Sequence, residues 1–211
     1  MAQGLQTTPV QIGSPNLKGL LGRVPDSQGL VIFAHGSGSG RLSPRNNYVA
    51  DALRRRGFST LLLDLLTSDE EQQRLNVFDV SLLAERLSIA TLWAGADERT
   101  AGMRLGYFGA STGAAAALVA AALPDSPVRA IVSRGGRPDL AGAALADVRA
   151  ATLLIVGALD YGVIELNRTA FARLAGPKKL VSIPGATHLF EEPGALDRVV
   201  ASAAEWFDEH L

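Results

Sequence analysis

Cysteine is absent from the 211 residues, which excludes disulfides, thiolate nucleophiles and cysteine-held metals. Histidine is scarce, at three residues, so candidates for a catalytic base or a metal ligand are few. No apolar run approaches the roughly 18 residues of a membrane span. The first basic residue is Lys18, so no basic segment precedes an apolar one as in a secretory leader. A surplus of one charge is also missing: 20 basic and 21 acidic residues are scattered to a net charge of −1. The longest basic run, Arg54-Arg55-Arg56, falls late in an expected helix, where cations suit the dipole. It is expected to be a solvated helix end, not a nucleic-acid patch. These absences lead us to expect a soluble, cytoplasmic protein with no membrane or nucleic-acid partner.

What is present is an ordinary globular balance, 47% hydrophobic and 19% charged, in a length that suits one domain spanning residues 1–211. Such a chain can bury a core without covalent staples. Short apolar runs alternate with helical patterns. The runs are Leu30-Val31-Ile32-Phe33-Ala34, Leu61 to Leu63, Leu105 to Phe108, Ala130 to Val132, Leu153 to Val156 and Leu180 to Ile183. Continuous apolar runs of this length suit strands buried on both faces of a parallel sheet. Between them, Ser43-Pro44 opens a helix as N-cap and first turn, and Gly57 closes it. Further helices are expected over about 78–96, 112–123, 163–174 and 194–210. Val10 to Ile12 and Leu17 to Leu21 read as two short strands joined by a Gly-Ser-Pro-Asn turn, an antiparallel edge added to the sheet. The alternation predicts an α/β domain with a mainly parallel sheet.

Chemistry concentrates where strands end. Gly109-Ala110-Ser111-Thr112-Gly113 follows one strand and opens an Ala-rich helix. That context suits a nucleophile elbow: the glycines permit a tight strand-to-helix turn that lifts the serine hydroxyl clear of the sheet. Its bland alternative is an N-capping serine in a small-residue loop. A serine nucleophile needs a base. His188, in Pro184-Gly185-Ala186-Thr187-His188, follows the last strand and so reaches the same sheet edge. His210 is next to last and expected to be solvated. Of the carboxylates between Ser111 and His188, Asp125 sits in a Pro-Asp-Ser-Pro turn, Asp139 reads as a helix N-cap after Pro138, and Asp147 precedes a strand. Asp160 alone closes one, which makes it the acid that orients the base. The order Ser, Asp, His, with each residue at a strand's C-terminal end, is far more specific than the G-x-S-x-G pattern alone.

An oxyanion hole needs two backbone N–H groups aimed at one point. Thr112, after the nucleophile, is one candidate, and Ser37 in His35-Gly36-Ser37-Gly38-Ser39-Gly40 is the other. His35 is expected to bond within its own loop. The same glycines suggest a dinucleotide fingerprint with Asp64 closing the next strand, but G-x-G-x-x-G requires glycine where Arg41 stands. Arg134-Gly135-Gly136-Arg137-Pro138 also lies on the catalytic edge. Arg134 is the candidate for contact with an anionic substrate group.

Taken together, His35-Gly36-Ser37-Gly38, Gly109 to Gly113, Asp160 and Pro184 to His188 resemble the dienelactone-hydrolase-like branch of the α/β-hydrolases. The resemblance runs from about residue 29 to the end. It implies an eight-stranded sheet with helices on both faces and esterase or lactonase activity on a small-molecule ester, with no cofactor. Dienelactone hydrolases carry cysteine in the elbow where this chain has Ser111, which shifts the expected substrate toward general carboxylic esters. Only about seventeen residues separate Ser133 from the strand near Ala151, too few for a separate cap domain. Two rival expectations keep the fold: acyl transfer through the same three residues, or a noncatalytic binding protein.

Overall fold

A computed structural model describes residues 6–27 and 29–211. Its centre is an eight-stranded sheet in the order β1-β2-β4-β3-β5-β6-β7-β8. The strands are β1 (Thr7–Ile12), β2 (Leu17–Gly22), β3 (Gly29–Ala34), β4 (Ser59–Leu63), β5 (Arg104–Ala110), β6 (Val128–Arg134), β7 (Ala151–Gly157) and β8 (Lys178–Ile183). From β4 to β8 all neighbours are parallel, and β1 and β2 form the antiparallel edge. The turn between those two needs left-handed backbone at Gly13 and Asn16, the residue types that tolerate it.

The continuous apolar runs are continuous because both faces of the strands are covered. In β3, Leu30, Ile32 and Ala34 join one core layer while Val31 and Phe33 join the other. The helices are α1 (Pro44–Arg55), α2 (Ser68–Glu71), α3 (Arg74–Phe78), α4 (Val80–Ala96), α5 (Thr112–Ala121), α6 (Tyr161–Arg173) and α7 (Ala195–His210). Helices α4, α5 and α6 cover the first layer, and α1 and α7 cover the second. No helix among the described residues is long and apolar enough to cross a membrane.

Local signals hold at several ends. Ser43 caps α1, its side chain accepting from Asn46 N at 3.4 Å, with Pro44 as the first helical residue. The β6–β7 connection, Pro138–Asp147, is two short 3-10 turns that meet at Gly142, whose φ of 56° breaks the helix.

Four expectations are corrected. The Arg54 to Arg56 run is solvated at Arg55 and Arg56, which are exposed, but not at Arg54. Arg54 is 6% exposed, donates to Thr60 Oγ1 at 2.8 Å and faces Asp51, and Arg56 pairs with Asp208 of α7. His210 is not free in solvent: its ring stacks edge-on against Trp206 at 4.2 Å, because α7 lays that face on the sheet. Asp139 does not cap a helix. It lies inside the first 3-10 turn, and both its oxygens are held by Arg137. The helix expected from Phe78 begins at Val80, capped by Asp79, and α2 and α3 precede it.

Candidate active site

The elbow forms at the C-terminal end of β5. Ser111 has φ 51° and ψ −122°, a left-handed setting that costs of order 1–3 kcal/mol for a non-glycine residue and recurs at functional sites. The surrounding glycines make it possible. A Cβ on Gly109 would lie 2.5 Å from Ala114 Cα, and one on Gly113 would lie 2.2 Å from Ala34 O. Helix α5 therefore starts in direct backbone contact with both β5 and the end of β3. Backbone bonds then lock the turn: Ser111 N donates to Arg134 O at 3.4 Å, and Arg137 N donates to Ser111 O at 3.1 Å. The Ser111 side chain does not cap α5, so the capping role does not account for it. Its hydroxyl sits half-buried at the positive end of a helix.

His188 and Asp160 come from two loops woven together. Leu159 N donates to Ala186 O at 2.9 Å and Ala158 N donates to Ile183 O at 3.0 Å. Gly157 allows the approach, since a Cβ there would lie 2.4 Å from Ala186 O. Buried Ala186 and Phe190 anchor the histidine loop, and Glu192 accepts from Thr187 N at 3.0 Å. The result is a 2.7 Å hydrogen bond between His188 Nδ1 and Asp160 Oδ2. Asp160 occupies the N-cap position of α6 without capping it, because its carboxylate is spent on the imidazole. That bond fixes Nδ1 as the protonated nitrogen and leaves Nε2 to accept a proton. The imidazole lies over Gly135, where a Cβ would be 3.7 Å from His188 Cε1. Gly135 directly follows Arg134, the partner of the Ser111 amide. All three residues thus gather around the ends of β5, β6, β7 and β8. No hydrogen bond joins Ser111 to His188 among the described residues; such bonds commonly tighten only when substrate binds.

The two oxyanion candidates are also neighbours. Ser37 N donates to Thr112 Oγ1 at 3.2 Å. Gly36 brings this loop against the elbow, since a Cβ there would meet Ser111 Cβ at 3.0 Å. Thr112 is the first residue of α5, where backbone N–H groups have no intrahelical acceptor. His35 is fully engaged elsewhere: Nδ1–H donates to Gly36 O at 2.9 Å and Nε2 accepts from Leu65 N at 3.0 Å. Burial holds its pKa below the usual imidazole value, chiefly by desolvation.

Two features had no sequence signal. Asp64 braces the glycine-rich loop, accepting from Arg41 N at 2.7 Å and from the Arg41 guanidinium. Helices α2 and α3 bury none of their residues, yet Glu71 and Val77 help wall a cleft of about 170 Å³ floored by residues 35–42. The cleft does not include Ser111 or His188 in its lining; it adjoins Ser111 through Gly36. Arg134 does not line this cleft; its Nη2 donates to Asn46 Oδ1 of α1 at 3.3 Å. Among the described residues, no three His, Asp or Glu side chains converge as a metal site would require.

No protein-family model matches the chain. A Mycobacterium tuberculosis protein that carries the provisional name phosphoribosyl transferase is 59% identical over 189 residues, 89% of this chain but 43% of its own length. The chain thus spans less than half the length of the curated relatives it matches. Among solved structures, Est1E from Butyrivibrio proteoclasticus has a TM-score of 0.80 at 16% identity, covering 97% of this chain and 98% of its own. At that identity it shows a shared fold. The dienelactone hydrolase of Anabaena variabilis is much nearer, with 53% identity, 97% of each chain covered and a TM-score of 0.92. With the eight-stranded sheet, the serine elbow and that match on one chain, the protein belongs to the dienelactone hydrolase family of α/β-hydrolases.

Proposed function

We propose that this chain is a serine hydrolase that cleaves small carboxylic esters or lactones through an acyl-enzyme on Ser111. The observation that carries the reading is the 2.7 Å pairing of Asp160 with His188 Nδ1, beside a serine at φ 51° on a strand-to-helix turn. In the first half-reaction the Ser111 hydroxyl proton passes to His188 Nε2 as Oγ bonds to the ester carbonyl carbon. The carbonyl oxygen takes the negative charge, which we assign to the Ser37 and Thr112 amides; Ser37 N, bonded to Thr112 Oγ1 in the free protein, exchanges that partner to receive it. The carbon–alkoxy bond then breaks, and the leaving alcohol takes the proton from His188. Water repeats the sequence on the acyl-enzyme and frees the acid and Ser111. Asp160 stays ionised throughout and stabilises the imidazolium.

Membership of a family of hydrolases supports this reading. The provisional name of the curated relatives belongs to proteins more than half of which lies outside the match. Phosphoribosyl transfer joins a nucleophile to a sugar carbon and has no use for an acylated serine, so we assign it no role for these residues. Ser111→Ala tests the proposal: hydrolysis of p-nitrophenyl acetate should fall by several orders of magnitude, up to about a millionfold, in a protein that still melts cooperatively. Near-normal turnover by that variant would remove Ser111 from the mechanism. Product analysis with an added alcohol separates hydrolysis from acyl transfer.

A further inference from the structure

Exposed apolar side chains gather around the acid and the base. A single exposed leucine is ordinary on a protein surface, whereas several in one place mark a contact. Leu159 and Tyr161 flank Asp160, and Leu189 follows His188. They are 47%, 71% and 41% exposed. A fourth, Leu140, is exposed in the β6–β7 connection. Its amide donates to Arg137 O, and Arg137 N in turn holds Ser111 O.

The loops that carry these side chains are tightly held, so the exposure is built into the fold. Leu159 N donates to Ala186 O, which ties the acid loop to the histidine loop. Phe190 has φ 57°, a left-handed setting that is costly for a bulky residue and recurs at functional sites. That turn seals Phe190 into the core and leaves Leu189 outside. Beside Tyr161, a Cβ on Gly162 would meet nothing within 4 Å, so the start of α6 faces open space. The carboxylates nearby are already engaged. Asp160 holds His188, Glu191 pairs with Arg45, Glu192 accepts from Thr187 N, and Glu165 pairs with Arg168. What the rim offers is apolar area and one aromatic ring.

The reaction decides which part of an ester meets this rim. His188 Nε2 must deliver its proton to the alkoxy oxygen as the carbon–oxygen bond breaks. That oxygen therefore lies against the imidazole, and the rest of the alcohol extends over the loops beside it. The acyl group leaves the same carbon in another direction, so the rim reads the alcohol and not the acid. We propose that Leu159, Tyr161 and Leu189 form the binding face for the alcohol portion of the ester and select a bulky, uncharged, aromatic alcohol. The proposal rests on the esterase reading above and names the class of substrate. Tyr161 supplies a ring against which a second ring can pack, and the two leucines supply apolar area around it.

The test holds the acyl group at acetate and enlarges the alcohol from methyl to benzyl to 2-naphthylmethyl, three primary alcohols of similar acidity. In the wild type kcat/KM, read from acid release, should rise along the series by about tenfold or more. Tyr161→Ser, and Leu159→Ser combined with Leu189→Ser, should each bring the naphthylmethyl-to-methyl ratio down toward one. Leu92→Ser and Leu123→Ser alter exposed leucines that wall a groove with Pro127, at the opposite edge of the sheet; they should leave the ratio as it is. 2-Naphthylmethanol alone should raise the melting temperature of the wild type and not of the rim variants. A flat ratio in a wild type that cleaves all three acetates, or a rise that survives the rim substitutions, would overturn the proposal and leave the esterase reading standing. A flat ratio joined to binding of phosphatidylcholine vesicles that the rim variants lose would reassign these side chains to a lipid surface. If no acetate is cleaved but 2-naphthylmethanol still stabilises only the protein with its rim intact, the rim stands and the esterase reading falls. Neither cleavage nor stabilisation would overturn both.

Discussion

Replacing Asp160 by asparagine tests the division of labour at the site with almost no change in shape. In the wild type the Asp160 carboxylate accepts from His188 Nδ1 at 2.7 Å and cannot donate. An asparagine amide can turn its NH₂ toward Nδ1, which then becomes the acceptor and places the ring proton on Nε2, facing the serine. The base is lost to the wrong tautomer, and the imidazolium that forms during attack loses its negative neighbour. In the reference serine protease this substitution costs about ten-thousandfold in kcat, which corresponds to about 5.5 kcal/mol at 1.36 kcal/mol per decade. The same order is expected here, because the bond is short and the Asp160 side chain is only 15% exposed, so little water competes for it. Asp139→Asn is the matched control: its carboxylate is occupied by Arg137, two residues before it. The assay is kcat/KM on p-nitrophenyl acetate, with thermal melts to show that both variants are folded. A loss of less than about tenfold for Asp160→Asn, or an equal loss for Asp139→Asn, would refute the assignment of the acid.

Three further outcomes follow from the geometry. With two short 3-10 turns between β6 and β7, there is little apolar surface to cover a long acyl chain, and each buried methylene contributes only about 0.8 kcal/mol; in a p-nitrophenyl ester series kcat/KM should peak at short acyl groups, and a maximum at dodecanoate or beyond would contradict this. Burial lowers the pKa of His35, so between the unfolded and folded values the unfolded chain binds the extra proton; stability should be full above about pH 6.5 and decline as pH falls below it. Melts from pH 8 to 5 should show this slope reduced in His35→Gln, and an unchanged slope would reject the cause. Gly113→Ala would set a Cβ 2.2 Å from a backbone oxygen, so a stability loss of about 1–3 kcal/mol and a large fall in turnover are expected, and wild-type melting and activity in that variant would count against the elbow packing.

The elements legible in the sequence were those punctuated by residues with one physical use. Gly109 and Gly113 announce a backbone approach too close for a side chain, and the structure places the approach there. Asp160 could be chosen over Asp139 and Asp147 because a strand's C-terminal end defines the ligand edge of a parallel sheet. What escaped was long-range or aperiodic. Helices α2 and α3 bury no residue, so no apolar rhythm marks them. Arg41 and Asp64 meet across 23 positions, and nothing in either neighbourhood announces the pair. Charge usually marks surface, so the sequence points Arg54 to solvent; its burial depends on Thr60, a strand residue packed beneath the helix. The same rule hid Arg134, whose depth emerges only once α1 is laid over the end of β6.

The central claim is that Ser111 is activated for attack, and labelling with a fluorophosphonate probe followed by peptide mass mapping addresses it most directly. One probe should bond to Ser111, and the reaction should be abolished in Ser111→Ala and strongly slowed in His188→Ala. A folded protein that takes up no label, or takes it up on another serine, would contradict the account.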